Sequence, residues 1–147
     1  FTNQPNNIIL VADDEPNDRL LIKEAFENSE WQNPLHFVED GVELLDYLFR
    51  RDKYANLAEE PLPNLILLDL NMPRKNGLEA LEEIKSDAVL KHIPVIVFTD
   101  SKAEEDTLRS CNLGINSFIT KPVSFQLLLD LTRILNKYWL EPLQSSC

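Results

Sequence analysis

Five short apolar runs punctuate the chain, and between them apolar residues recur at spacings of three and four. The runs are Asn7 to Ala12 (NIILVA), Leu35 to Val38, Leu65 to Leu68 (LILL, running straight into Asp69), Pro94 to Phe98 (PVIVF) and Ser117 to Ile119. Short unalternating runs fenced by proline, glycine or acid suit strands buried on both faces, as in parallel sheets. The intervening patterns predict helices. The first opens at Pro16, where the missing N–H costs nothing, and carries Leu21, Ile22, Ala25 and Phe26 until it fades at Ser29 and Glu30. The second follows a turn at Asp40-Gly41 and carries Val42, Leu45, Leu48 and Phe49; the third carries Leu78, Leu81 and Ile84. A fourth spans Ala103 to Asn112 with Gly114 as its stop, and the last runs from about Ser124 to Leu140. Residues 52–63, rich in charge and closing on Pro-Leu-Pro, read as the longest loop. Strict β-α alternation with short, right-handed connections predicts one doubly wound α/β domain.

Composition narrows the function. The 147 residues suffice for one domain with a full core, and few residues follow the last helix, so the expectation is a single domain over 1–147, its core at about 7–140, with no output domain. A net charge of −11 argues against a nucleic-acid surface, and the one basic cluster, Arg50-Arg51-Asp52-Lys53, is small. No apolar run approaches the ~20 residues of a membrane span, and two cysteines, Cys111 and Cys147, make no disulfide framework. The expected location is the cytoplasm. Three glycines, Gly41, Gly77 and Gly114, cannot build a glycine-rich phosphate cradle.

The chemistry lies at strand ends. Asp13, Asp14 and Asp69 each follow a strand, and in an open α/β sheet such ends meet in the crevice at the topological switch point. Acids drawn together repel unless a cation or raised pKa values relieve them, and an oxygen-only donor set suits Mg²⁺ far better than zinc. The plainer alternative is that Asp13-Asp14-Glu15 only caps the first helix. Two further strand ends supply Thr99, a hydroxyl, and Lys121, an ammonium; either could be a helix cap or a solvated tail taken singly. Together they complement an acyl phosphate on Asp69, whose oxygens need a metal, a donor and a cation.

The acids at 13–15, the pattern Asp69-x-Asn71-Met72-Pro73-x-x-x-Gly77, Thr99 after its strand and Lys121-Pro122 resemble the receiver domain of two-component response regulators over about Ile8 to Leu140. The resemblance implies a flavodoxin-like (βα)5 fold with strand order 2-1-3-4-5, an order that comes with the family and not with the residues. It implies Asp69 as phosphoacceptor, and Mg²⁺, with Mn²⁺ able to substitute, held by Asp13, Asp14, Asp69 and the Asn71 carbonyl. Thr99 and Lys121 would contact the phosphoryl group, Phe118 would move with Thr99 as the switch, and Asn71 and Ser101 would tune dephosphorylation. Such a protein is not an enzyme beyond its own phosphorylation and dephosphorylation.

Within that family the short format, the 52–63 loop and the ending Tyr138-Trp139-Leu140-Glu141 are most similar to cyanobacterial phytochrome response regulators, implying a phytochrome-type histidine kinase as partner. Asp100, just after Thr99, departs from the small residue usual there and is expected to repel an incoming phosphate or to point into solvent. The last helix is too apolar for one buried face, so Leu128, Leu131, Leu135, Tyr138 and Trp139 are expected to form a homodimer or partner interface. Two other functions compete. A haloacid-dehalogenase-type phosphatase also uses an aspartyl nucleophile and Mg²⁺, but wants a second Asp where Asn71 stands, and a cap region. A phosphorylation-independent interaction module would not require the full set of site residues.

Overall fold

The computed structural model describes residues 8–29, 35–57, 62–70, 72, 74–99, 115, 117–120 and 124–138. Five parallel strands, β1 (Ile9–Ala12), β2 (Leu35–Val38), β3 (Leu65–Asp69), β4 (Val95–Thr99) and β5 (Ser117–Thr120), form one sheet in the order β2-β1-β3-β4-β5. Helices α1 (Pro16–Glu27), α2 (Gly41–Phe49), α3 (Gly77–Ser86) and α4 (Phe125–Tyr138) cover it.

The unbroken apolar runs follow from two cores, one on each face. Successive side chains of a strand point to opposite faces. Leu10, Ala12, Ile66, Leu68, Val95 and Val97 therefore meet Leu44, Leu48, Leu81 and Ile84 of α2 and α3. Their neighbours Ile9, Val11, Leu65, Leu67, Ile96 and Phe98 meet Ile22, Ala25 and Phe26 of α1 and Leu128 and Leu135 of α4. Each such side chain contributes roughly 1.5–3 kcal/mol on burial, so the two cores fix which face each helix covers.

The start of each of the four α-helices is specified locally. Glu15 caps α1 with Pro16 in its first turn, Asp40 caps α2, and Asn76 and Glu79 form a reciprocal capping box on α3. At α4 the Ser124 hydroxyl accepts the Leu127 amide at 3.0 Å. The expected helix over 103–112 and the stop at Gly114 lie outside the described residues.

The stretch read as a plain loop is partly built. Asp52–Leu57 is a 3-10 helix folded onto α2. The Tyr54 ring meets Tyr47 edge-on at 5.1 Å, and its hydroxyl donates to Glu43 at 2.6 Å. Glu43 also accepts the Glu39 amide at 2.8 Å and pairs with Lys53 at 2.9 Å. Burial pushes the Glu43 carboxyl up, but the Tyr54 and Lys53 donors outweigh it and hold the group below its ordinary 4.5. A carboxyl held low when folded adds stability that is complete above that value and is lost as pH falls below it. Glu43→Gln should therefore lower the urea midpoint at neutral pH, and the gap to wild type should close as pH drops below 4.5. Unfolding curves from pH 7 to pH 3 check this.

Candidate functional site

The site forms where β1 and β3 end side by side, at the switch in strand order. Ala12 pairs with Leu68, which brings Asp13 level with Asp69, the last residue of β3. Both carboxylates are buried, at 1% and 2% exposure, while Asp14 is exposed. One oxygen from each of Asp13, Asp14 and Asp69 lies within 4.8 Å of the other two.

Local contacts set the Asp13 side of this cluster. Its amide still donates to Val38 of β2 at 3.0 Å, and its Oδ1 accepts the Glu15 amide at 2.9 Å, which turns the chain into α1. Arg19 reaches back from α1 to the Asp13 carbonyl at 2.8 Å. The helix cap is Glu15, which accepts the Asn17 amide, so capping does not account for Asp14 or for Asp69 on another strand.

Three carboxylates this close, two of them out of water, are a costly arrangement unless a cation neutralises them. Oxygens facing each other across Mg²⁺ stand roughly 4 Å apart, so the observed spread fits a hard, oxygen-seeking divalent ion after small side-chain rotations. The donor set contains no nitrogen or sulfur. His36 instead meets the Tyr47 hydroxyl at 2.7 Å, and burial beside Arg50 lowers its pKa. His92 is exposed in the 3-10 turn after α3.

The register brings the backbone of Thr99 to the same sheet edge. Asp69 pairs with Phe98, so Thr99 ends β4 one residue beyond, and Thr99 pairs with Thr120, the residue before Lys121. Phe118 on β5 is half-buried and packs against the α2–α3 core. Asn71, Asp100, Ser101, Lys121 and Trp139 lie outside the described residues, as do the side chains of Thr99 and Tyr138.

Two close backbone approaches are set by the fold, one against Asp69 and one against Lys75. A Cβ on Gly77 would stand 2.5 Å from the Asp69 carbonyl oxygen and 2.6 Å from the Leu70 Cα, so α3 starts directly against the peptide of the candidate nucleophile. Gly41, read as a turn residue, is the first residue of α2, and its Cβ would fall 2.1 Å from the Lys75 carbonyl oxygen. Only a residue without a side chain admits either approach.

The interface expectation needs correction. Leu128 and Leu135 are core residues, at 0% and 4% exposure, because with Thr132 they form the stripe of α4 that faces α1 and the sheet. Leu131 is half-buried against the same core. Among the described side chains of α4, the large apolar ones left exposed are Phe125, Leu127 and Ile134.

The family model for the response regulator receiver domain matches residues 9–133. The chain belongs to this family. It is 37% identical over 137 residues to response regulator Rcp1 of Synechocystis sp., across 93% of this chain and 91% of that protein. Among solved structures, the phosphorylated cyanobacterial phytochrome response regulator RcpA is 39% identical, with 95% of this chain and 97% of that one covered and a TM-score of 0.78. The Mn²⁺-bound form of Rcp1 is 36% identical, with 94% and 97% covered and a TM-score of 0.77. The receiver is thus a two-component signalling domain similar to the cyanobacterial phytochrome response regulators, with the fold its strand pattern and motifs implied. Among the described residues, no helix is long and apolar enough to cross a membrane.

Proposed function

We propose that this receiver takes a phosphoryl group onto Asp69 from the phosphohistidine of a phytochrome-type kinase, and signals by protein contact. The observation that carries the reading is the convergence of the Asp13, Asp14 and Asp69 oxygens within 4.8 Å at the carboxyl edge of the sheet. In the reaction an Asp69 oxygen attacks phosphorus, the new P–O bond forms, and the bond from phosphorus to the imidazole nitrogen breaks. The imidazole leaves with that electron pair and takes up a proton. The receiver's work is to orient the acid and balance charge, since phosphoryl transfer is mostly positioning and neutralisation. Bound Mg²⁺, or Mn²⁺ in its place, would neutralise the three acids and the phosphoryl oxygens. Asp13, Asp14, Asp69 and the Asn71 carbonyl would hold it.

Thr99 and Lys121 are the assigned phosphoryl contacts, Phe118 the side chain that moves with Thr99, and Asn71 and Ser101 the residues that set water attack on the acyl phosphate. The chain acts as one receiver domain in the cytoplasm, and its chemistry is confined to its own phosphorylation and dephosphorylation. The test is labelling of the purified protein from acetyl phosphate, read by intact mass. Label should appear with Mg²⁺, vanish with chelator, and map to Asp69; label on another residue would overturn the assignment.

The similarity to RcpA, a phosphorylated cyanobacterial phytochrome response regulator, supports the choice of kinase class, and the similarity to the Mn²⁺-bound form of response regulator Rcp1 supports a divalent ion at the site. We also assign homodimerisation to α4, now through Leu127 and Ile134, which lie two helical turns apart on one face with Leu131 between them. Ile134, at 50% exposure, offers a clean probe because its removal leaves the core untouched. Ile134→Lys should shift sedimentation at micromolar concentration from dimer to monomer, with a urea midpoint that matches wild type once both are dilute enough to be monomers.

A further inference from the structure

The chain leaving Asp69 is held in place by α2. The Lys75 carbonyl accepts the Gly41 amide at 2.9 Å. Beside it the Arg74 guanidinium forks the Asp40 carboxylate, Nε to Oδ2 at 2.9 Å and Nη2 to Oδ1 at 3.0 Å. The same carboxylate caps α2 by accepting the Glu43 amide at 2.8 Å, so one side chain fixes both the helix start and the loop. Arg74 sits at φ 63°, in the left-handed region that a residue with a side chain keeps only when its surroundings impose it. Three residues further on, the Gly77 amide donates to the Leu70 carbonyl at 2.8 Å, and its Cα rests against the Asp69 peptide. The path from α2 to the candidate nucleophile is short and runs through backbone.

We propose that Asp40 and Arg74 are positioning residues for the reaction at Asp69. The fork holds the limb 74–77, which opens on the left-handed Arg74, and that limb sets the Asp69 peptide against the acids of β1. The inference rests on Asp69 being the phosphoacceptor.

An exposed ion pair alone contributes little. This one differs in geometry: the contact is bidentate, and the Asp40 side chain is only 13% exposed although Arg74 is 59% exposed. Burial pushes the Asp40 carboxyl up, but Arg74 and the amides of Glu43 and Val42 outweigh it and keep the group below its ordinary value. The fork is therefore charged on both sides at neutral pH. Lys75, next to Arg74, pairs separately with Glu83 on α3, so a second tie holds the far side of the limb.

The test is acetyl phosphate labelling of the full chain across a series of Mg²⁺ concentrations, giving a half-saturating Mg²⁺ and a maximal rate for each variant. Arg74→Ala and Arg74→Gly should both raise the half-saturating Mg²⁺ about tenfold, the effect typical of groups that orient metal ligands, and Arg74→Lys should raise it less. Asp40→Asn keeps a capping oxygen but loses the charge and should match Arg74→Ala. The double variant should be no worse than either single, because one contact is removed twice. Wild-type behaviour in Arg74→Gly would overturn the proposal, since the fork would then only offset the strain of its own residue. So would additive effects in the double variant. Failure of the wild type to label at all would instead overturn the assignment of Asp69.

Discussion

Asp69→Asn is expected to abolish labelling from acetyl phosphate at any Mg²⁺ concentration, while the protein stays folded. The substitution keeps the shape of the side chain at the end of β3 but replaces a charged oxygen nucleophile by an amide that does not attack phosphorus. It also replaces one of the three carboxylates whose oxygens gather within 4.8 Å by a neutral amide. The loss should be larger than that from any other single change, because the bond to phosphorus has nowhere else to form. Stability should move the other way. Asp69 is buried at 2% exposure beside the equally buried Asp13, so in Mg²⁺-free buffer the amide relieves like-charge repulsion and the urea midpoint should stay level or rise. The pairing of lost label with kept or gained stability marks a functional acid. A scaffold acid would show stability falling with label unchanged.

The three central strands were legible because β1, β3 and β4 are buried on both faces, which turns a weak alternation into an unbroken apolar run. The acids were legible because parallel strands present their carboxyl ends to one edge, so Asp13, Asp14 and Asp69 needed only the strand order to converge. Positions decided by distant neighbours were not legible. Residues 52–57 became a 3-10 helix because Tyr54 finds Tyr47 and Glu43 on α2, a contact that carries no local pattern. The run of leucines in α4 could not say which stripe is core; α1 and the sheet select Leu128 and Leu135 and leave Leu127 and Ile134 outside. Arg74 carried no signal as a partner of Asp40, since the pair is 34 positions apart and meets only through the fold.

The same kind of tertiary constraint governs Gly77, where replacing glycine should do the reverse of what helix chemistry alone predicts. At an unobstructed helix position Gly→Ala gains roughly 0.5–1 kcal/mol, because glycine loses more freedom on folding. Gly77 is the first residue of α3, yet a Cβ there would stand 2.5 Å from the Asp69 carbonyl oxygen and 2.6 Å from the Leu70 Cα. Both are backbone atoms at the end of a central strand, hydrogen-bonded between β1 and β4, and neither can rotate away as a side chain could. One of two things must give. If α3 retreats, the bond from the Gly77 amide to the Leu70 carbonyl and the Asn76–Glu79 capping box loosen. If Asp69 retreats, its carboxylate leaves the position it shares with Asp13 and Asp14. Either way Gly77→Ala should destabilise by about 1–3 kcal/mol, the range for overpacking against a rigid neighbour. At a temperature where the variant remains folded, labelling should slow by about a hundredfold, the loss expected when a reacting group is misplaced by an ångström. Urea unfolding and acetyl phosphate labelling measure the two effects separately. A variant as stable as wild type would mean that the close approach between α3 and Asp69 does not exist, and normal labelling in a destabilised variant would mean that α3, not Asp69, yields.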